Sequence, residues 1–520
     1  MQIERTKNTI RNTIWGFINK LVMLVFPFII RTVIIYILGI NYTGLGSLFN
    51  SIISVLSLAE LGVSSAIVYS MYAPIARDDE NKICALMKLY RIIYFVIGLF
   101  VLVIGICLMP LIPMIIKSDI PSNINIYALY GIYLSNSVAS YWLFAYKNCL
   151  LDAFQRIDIN VKVSTVVNLI MYGLEIALLV AFRDYYYYAL CLPVTSILIN
   201  IITARFVDKM FPQFTPKGVV TRKELKELFF QVAGLLAQKL AFTSRNALDS
   251  IIISAYLGLA IVGIYNNYFM VLNSVTALLA ILYTAMLAGI GNSIAKETEE
   301  KNYQDFRKFN FLYMWISGWA TICIYVLVQP FMKLWVGKEL VFAESIVFLL
   351  SLYFYNMKMT DMVGIYVSTS GIWWKCKYIY IIETISNLVL NIGLGYIWGV
   401  YGVIIATIIS VLFVDFIGTG IILYKNLFSK YKFGELIKDD LLYFLMTMLV
   451  MIILKVIAGV FEIKIKNEMA LFAINFVLCI FIPNILFYLV LSKTSIGKNA
   501  ISWIMTRILK RESKLDILSD

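Results

Sequence analysis

The chain has 520 residues, 61% of them apolar and 14% charged, with 44 Lys/Arg against 31 Asp/Glu and no histidine. Soluble domains run about 45–50% apolar and about 25% charged, so this composition excludes disorder and a conventional soluble enzyme and leaves a polytopic membrane protein. The net charge of +13 is read as charge sorting across a bilayer rather than as a nucleic-acid partner.

In chain order, Met1–Asn12 is polar and basic, with no small-residue cleavage site after it, so no cleavable signal peptide is expected. Stretches long and apolar enough to span then recur at 14–38, 45–70, 90–116, 125–146, 163–182, 186–204, 230–257, 264–290, 309–330, 345–370, 379–398, 401–424, 441–460 and 469–491. The expected fold is all-α, with about 14 transmembrane helices. Placing the N-terminus inside puts 32 of the 44 basic residues in inner segments, 6 in outer ones and 6 within spans. That is a strong positive-inside asymmetry, so both termini are expected to be cytoplasmic. The longest inner loop, 205–228, is basic and carries Pro212 and Pro216, which suggests a hinge. Near the end, 496–510 reads either as a basic amphipathic helix on the inner surface or as an ordinary stop-transfer flank.

The two halves resemble each other at an offset of 219. Leu38-Gly39 and Gly44 match Leu257-Gly258 and Gly263; Arg156, Thr165 and Asn168-Leu169 match Lys375, Thr384 and Asn387-Leu388. Six spans per half make the repeats parallel, related by an axis along the membrane normal, which is a transporter signature. The expected domains are a six-helix bundle at 1–204, a basic cytoplasmic linker at 205–228, a second six-helix bundle at 229–424, two additional helices at 425–491 and a basic cytoplasmic tail at 492–520.

Twelve ionisable residues fall within these spans: Lys20, Arg31, Glu60, Glu175, Lys239, Arg245, Asp249, Lys358, Asp361, Glu383, Asp415 and Lys455. Each costs roughly 2.5–3.5 kcal/mol at mid-bilayer, so most must pair, snorkel or face a wet cavity. Gln231, Gln238, Arg245 and Asp249 share one helical face, flanked by Lys239 and Asn246, and are expected to line a cavity. Arg245 and Asp249, at i, i+4, can also simply pair. Lys20, near the inner end, is expected to snorkel, whereas Arg31, two turns from Gly39, is expected to serve the substrate or a gate. Pro27 is expected to loosen its helix. Lys358 and Asp361, at i, i+3, are either a self-neutralised pair or a cation site. Glu383, Asn387 and Asn391 share a face, and packing is the favoured role for Asn168 and Asn387. Glu175, Glu383, Asp415 and Lys455 receive no role. The serines of 45–70 read mainly as packing glue.

No catalytic constellation appears. There is no GxxxxGK[ST] and no GxSxG. Without histidine, no His-ligated zinc or imidazole base is possible. The seven cysteines are too dispersed for a metal or disulfide motif. No metal or other cofactor is expected, and the chain is not expected to be an enzyme. Energy is expected to come from an H+ or Na+ gradient, through Asp249, Asp361 or Glu60, or from the substrate's own gradient.

The run RTVIIYILGINYTGLGSLFNSIISVLSLAELGVSSAIVYSMYAPIARDDENKICALMKLYR (Arg31–Arg91) resembles the start of bacterial Wzx-type polysaccharide repeat-unit flippases: a span-1 Arg, LG, G-L-x-S-L-F, AELG and Y-x-P-x-A. GIWWKCKYIYIIETISNLVLNIGLGYIWGVYGVIIATIIS (Gly371–Ser410) resembles their later signature, and FMKLWVGKE (Phe331–Glu339) also fits. The resemblance implies the multidrug/oligosaccharidyl-lipid/polysaccharide exporter fold. It also implies a multi-pass place in the bacterial cytoplasmic membrane and outward flipping of an undecaprenyl-pyrophosphate-linked oligosaccharide by alternating access. Partners implied are membrane lipids, a polysaccharide polymerase and glycosyltransferases. Arg31 matches the family's span-1 Arg; Lys239, Arg245, Lys358, Gln238 and Asn246 are candidates for the same cationic cavity. The alternatives are another lipid-linked glycan flippase, of the lipid II type, or an ion-coupled small-molecule exporter of the same fold.

Overall fold

The computed structural model describes residues 5–516 except Leu61, Ser118 and Asp119; side chains 5–10, 59, 227–238, 242, 244, 246, 288, 504 and 507–516 are outside that description. Backbone polar groups inside hydrocarbon must be paired within the segment that carries them. The described residues accordingly form helices and no strand. Packing divides the chain into two compact units, Met1–Asn266 and Asn267–Asp520.

The first unit contains α1 (Arg5–Ile37), α2 (Ile40–Leu56), α3 (Val63–Ala76), α4 (Glu80–Leu108), α5 (Ile126–Trp142), α6 (Asn148–Ala153), α7 (Ile157–Phe182), α8 (Tyr185–Met210), α9 (Arg222–Leu257) and the start of α10 (Leu259–Lys296). The second contains the rest of α10, then α11 (Glu299–Val336), α12 (Glu344–Thr369), α13 (Lys377–Trp398), α14 (Val400–Ile409), a π-helical segment (Ser410–Phe416), α15 (Ile417–Leu427), α16 (Phe433–Lys464), α17 (Glu468–Leu491) and α18 (Ser495–Asp516). The expected linker 205–228 joins α8 to α9, inside the first unit.

All fourteen expected segments fall on helices. Among the described residues, ten helices are long and apolar enough to cross a membrane: α1, α4, α7, α8, α10, α11, α13, the run α14–α15, α16 and α17. The other four segments correspond to α2 with α3, the 17-residue α5, α9 and α12. The expected continuous span 45–70 is broken. After Leu56 the chain tightens into a 3-10 turn, Ser57–Glu60, and resumes as α3 beyond Gly62. Gly62, immediately before α3, sits at φ 95°, a left-handed conformation that a residue with a Cβ adopts only at a cost. Pro27 has the opposite outcome: α1 runs through it without interruption.

The repeat persists in the element boundaries. α2 and α10 start at Ile40 and Leu259, α4 and α11 at Glu80 and Glu299, each pair 219 apart. Their caps match too: the Asp79 side chain accepts from the Lys82 amide, and the Thr298 side chain from the Lys301 amide. Gly39 and Gly258 share an unusual conformation, φ 107° and ψ 168° against φ 88° and ψ 176°. Within the first unit the contacts are reciprocal. A Cβ on Gly44 would overlap the Leu259 backbone carbonyl, and one on Gly263 would overlap the Ile40 carbonyl. Leu259 is the repeat counterpart of Ile40, and Gly263 of Gly44.

Helix α9 begins with a capping box. The Glu224 amide donates to Thr221 Oγ1 at 3.5 Å, and the Thr221 amide donates to Glu224 Oε2 at 3.0 Å. Lys82 of α4 pairs with the same carboxylate. Lys82 first, then Thr221, hold the Glu224 carboxyl down at about 2. A depressed pKa stabilises the fold above the unfolded value of about 4.3 and loses that contribution as pH falls toward 2. Thr221→Ala is expected to cost about 1 kcal/mol at this helix end. Hydrogen–deuterium exchange should then quicken in the first turn of α9 and leave α4 unchanged; equal exchange in both proteins would deny the cap any role.

In the second unit, Arg307 of α11 grips Asp439 of α16 at 2.7 Å and Glu435 at 3.5 Å. The Tyr303 and Tyr431 rings stack with centroids 3.6 Å apart. The first part of α18 packs on α11, with Trp503 edge-on to Phe309 and Lys308 Nζ 5.0 Å from the Trp503 ring centre. Lys455, without a role in the sequence, pairs with Glu344 at 2.9 Å and so joins α16 to α12.

Candidate functional site

Arg31 lies two turns before the end of α1, and its Nη2 donates to the Gly263 carbonyl at 3.0 Å. Three tyrosines from α5 and α8 lie within electrostatic reach: Tyr133, Tyr185 and Tyr188. The Tyr133 and Tyr185 hydroxyls are 2.9 Å apart, with both residues buried. Gly46 of α2 makes room for them, since a Cβ there would overlap both hydroxyls. Glu175 of α7 is buried near Tyr133, Tyr172 and Tyr188, and has no hydrogen-bond or ion-pair partner among the described residues. The sequence assigned Glu175 no role; the fold brings it to the same tyrosines as Arg31. An arginine in such surroundings is a fixed fork of donors that fits two phosphate oxygens at once, and the phenols add hydroxyls that can donate or accept.

A second cluster forms at the break between α2 and α3. Tyr94 Oη donates to Glu60 Oε1 at 2.6 Å, and Tyr90 Oη donates to Tyr94 Oη at 2.6 Å. Both tyrosines belong to α4 and are buried. Glu60 therefore stands at the head of a hydrogen-bonded chain where helical continuity is lost. Tyr90 and Tyr94 were not singled out in the sequence; with 34 tyrosines in the chain, an i, i+4 pair carries little signal.

On α9, Arg245 and Asp249 are 4% and 1% exposed, and Asp249 Oδ2 accepts from Tyr265 Oη at 2.8 Å. Lys239 is exposed. The side chains of Gln238 and Asn246, expected beside them, lie outside the described residues.

In the second unit Lys358 and Asp361 form an ion pair at 2.7 Å on α12. Tyr313 of α11 donates to the same carboxylate oxygen. The shared face of Glu383, Asn387 and Asn391 forms a polar seam against α14 and the π-helical segment. Asn387 Nδ2 reaches Thr407 Oγ1 at 3.0 Å and Ser410 Oγ at 3.1 Å, Asn391 Nδ2 reaches Asn387 Oδ1, and Ser410 Oγ reaches Glu383 Oε1. This is hydrogen-bonded helix packing of the kind that replaces hydrophobic attraction inside a bilayer. Asp415 lies in the π-helical segment, 8% exposed. Asp440 was missed. The span expected at 441–460 starts one residue after it, whereas α16 begins at Phe433 and buries Asp440 at 1% exposure. No group of His, Cys, Asp or Glu that could hold a metal ion occurs among the described residues.

A family model described as polysaccharide biosynthesis protein matches residues 9–287, more than half of the chain. The chain belongs to this polysaccharide biosynthesis family. The matched region includes Arg31, the α2–α3 break and all of α9. No curated protein matches the sequence. Among solved structures, the family member is similar to the lipid II flippase MurJ in an inward closed conformation, at TM-score 0.61 and 16% identity over 92% of this chain and 98% of that one. It is similar to an inward-facing multidrug resistance MATE transporter of the MOP superfamily at TM-score 0.59 and 15% identity, covering 80% and 98%. A eukaryotic MATE transporter gives 0.57 and 12%, covering 84% and 98%. At these identities the likeness is one of fold: an all-α polytopic membrane fold that solved transporters share. The expectation of a multidrug/oligosaccharidyl-lipid/polysaccharide exporter fold is thereby met.

Proposed function

We propose that this family member flips an undecaprenyl-pyrophosphate-linked oligosaccharide repeat unit from the cytoplasmic to the outer leaflet of a bacterial cytoplasmic membrane, with both of its own termini cytoplasmic. The observation that carries the reading is Arg31, a deep cation with buried tyrosines around it, in a chain of a polysaccharide biosynthesis family. A pyrophosphate carries about two negative charges and cannot enter hydrocarbon unpaired. A guanidinium with hydroxyl neighbours gives it a partner on the way across, and Arg245, in the same unit, is a candidate for a further contact. Glycosyltransferases would supply the lipid-linked glycan, and a polymerase would consume it.

The sequence carries no nucleotide-binding motif, which leaves an ion gradient or the substrate's own gradient as the energy source; for H+ or Na+ coupling the membrane carboxylates are the candidates. Glu60, Asp249 and Asp361 each accept a hydrogen bond from a tyrosine hydroxyl, an arrangement suited to exchanging a proton or a small cation. A lipid II-type glycan lipid is the second reading, favoured by the likeness in fold to MurJ.

The deciding experiment is analysis of lipid-linked intermediates in a strain lacking the protein. Undecaprenyl-pyrophosphate glycan should accumulate on the cytoplasmic side with surface polysaccharide lost. Loss of cell-wall synthesis instead would favour the lipid II reading, and neither phenotype would refute both. Orientation has its own check: single cysteines placed in 205–228 should react with a permeant thiol reagent and resist an impermeant one added outside. Labelling from outside would invert the topology.

A further inference from the structure

Tyr94 of α4 and Tyr313 of α11 stand 219 residues apart, at matching places in the repeat, and each donates its hydroxyl to a carboxylate: Tyr94 to Glu60, Tyr313 to Asp361. The two acids are not counterparts, since Leu279 is the residue that matches Glu60. What stands beside each acid differs too. Asp361 already has a cation, the Lys358 ammonium at 2.7 Å. Asp249, the third acid with a tyrosine donor, has Arg245 one turn before it on α9. No cation pairs with Glu60 among the described residues. An acid within a span and without a counter-ion is costly as an anion, and taking up a proton removes the charge.

The groups around Glu60 are phenols and hydroxyls. Tyr94 donates to it at 2.6 Å, Tyr90 donates to Tyr94 at 2.6 Å, and Ser64 hydrogen-bonds Tyr90 in turn. Tyr141 of α5 reaches the same carboxyl, with Ser57 and Ser137 at its own hydroxyl. Cys149 of α6 lies behind Tyr90. The 3-10 turn also packs on α9, whose charged side chains beyond its first two turns are Lys239, exposed, and Arg245 and Asp249, buried. The tyrosines turn hydrogens toward the carboxylate, and the Tyr94 oxygen is itself occupied by Tyr90. A metal ion needs several lone pairs converging on it, whereas a proton needs one. Glu60 is half-buried while Tyr90 and Tyr94 are 2% and 6% exposed, so the acid is reachable and the phenols back it from within.

We propose that Glu60 is an exchangeable proton site, that Tyr94 and Tyr90 position its carboxylate, and that its proton sets how firmly the α2–α3 break is held to α4. Resting on the ion-coupled flippase reading, this makes H+ the coupling ion and Glu60 its carrier, rather than Asp361, whose cation is built into the chain. As an anion, Glu60 holds Tyr94 in a charge-assisted bond, roughly twice as strong as a neutral one, and pins the 3-10 turn to α4. When a proton arrives from the accessible side, an O–H bond forms at a carboxylate oxygen and the charge is lost. The bond to Tyr94 then falls to neutral strength. The break, where helical continuity is already lost, is the element free to shift.

Infrared titration of the full-length protein in phosphatidylcholine nanodiscs reads the site directly. Subtracting the Glu60→Gln spectrum from that of wild type should leave one protonated-carboxyl band that grows as pH falls. Tyr94→Phe keeps the ring and removes the donor, and should move the midpoint to higher pH by about half a unit or more. Tyr90→Phe should move it the same way by less; a merely structural phenol would not move it. In proteoliposomes carrying a fluorescent lipid-linked glycan, an imposed pH gradient should speed flipping severalfold in wild type and not in Glu60→Gln. A sodium gradient alone should do nothing. No band lost in Glu60→Gln, a midpoint unmoved in both tyrosine variants, or a gradient response kept by Glu60→Gln would overturn the assignment. A Glu60 that titrates in a protein that flips no glycan lipid would sink the flippase reading and leave the proton site standing.

Discussion

Arg31→Ala is expected to abolish or severely reduce export of lipid-linked glycan while the protein still inserts and folds. The side chain donates to the Gly263 carbonyl and stands among Tyr133, Tyr185 and Tyr188. Its loss removes a charge-assisted fork worth about 1.5–3 kcal/mol to an ionised partner, or roughly 10- to 100-fold in the affinity for a pyrophosphate head. Arg31→Lys separates charge from geometry. A lysine keeps the positive charge but neither the planar fork nor its bidentate fit, so intermediate export is expected. Reconstituted flipping of a fluorescent lipid-linked glycan measures both variants. Wild-type flipping by Arg31→Ala would remove Arg31 from the substrate path and leave it as the residue that ties α1 to the start of α10.

The second large effect is expected at Lys358. Its ammonium and the Asp361 carboxylate are only 7% and 23% exposed, and they neutralise each other. Lys358→Ala leaves Asp361 with the Tyr313 hydroxyl as its one hydrogen-bond donor among the described residues. Removing one partner of a buried pair costs about 3 kcal/mol, because the other charge remains without compensation. The double variant Lys358→Met, Asp361→Leu removes both charges and is expected to recover most of the stability. Melting temperature in lipid measures this, and flipping assays then divide the roles. A stable double variant that still flips makes the pair structural; a stable one that does not flip makes it part of transport. A single variant as stable as wild type would contradict the buried pair itself.

The helices were legible because apolar runs of about 20 residues are a dense signal, and fourteen of them fell on helix. The interruptions were not. The 3-10 turn at Ser57–Glu60 lies in an apolar run with no breaker inside it, and the π-helical segment at Ser410–Phe416 has no composition of its own. Local charge pairing was readable where spacing alone decides it, as at Lys358 and Asp361. It was unreadable where partners lie far apart in the chain, as for Lys82 with Glu224 or Lys455 with Glu344. Asp440 escaped because it lies one residue before the expected span, among Glu435, Lys438 and Asp439, where charge draws no attention. Arg31 was visible as a deep cation, yet its tyrosine neighbours come from α5 and α8, more than a hundred residues away, and no local pattern announces them.

The reciprocal crossing of Gly44 with Leu259 and of Gly263 with Ile40 puts two matched glycines of the repeat where no methyl group fits. Where two backbones pass with no room for a methyl group, neither glycine accepts a side chain, whereas a lipid-facing leucine can become an isoleucine or phenylalanine with little consequence. Those two glycines are therefore held by steric necessity, and a side chain at either would push the start of α2 and the start of α10 apart.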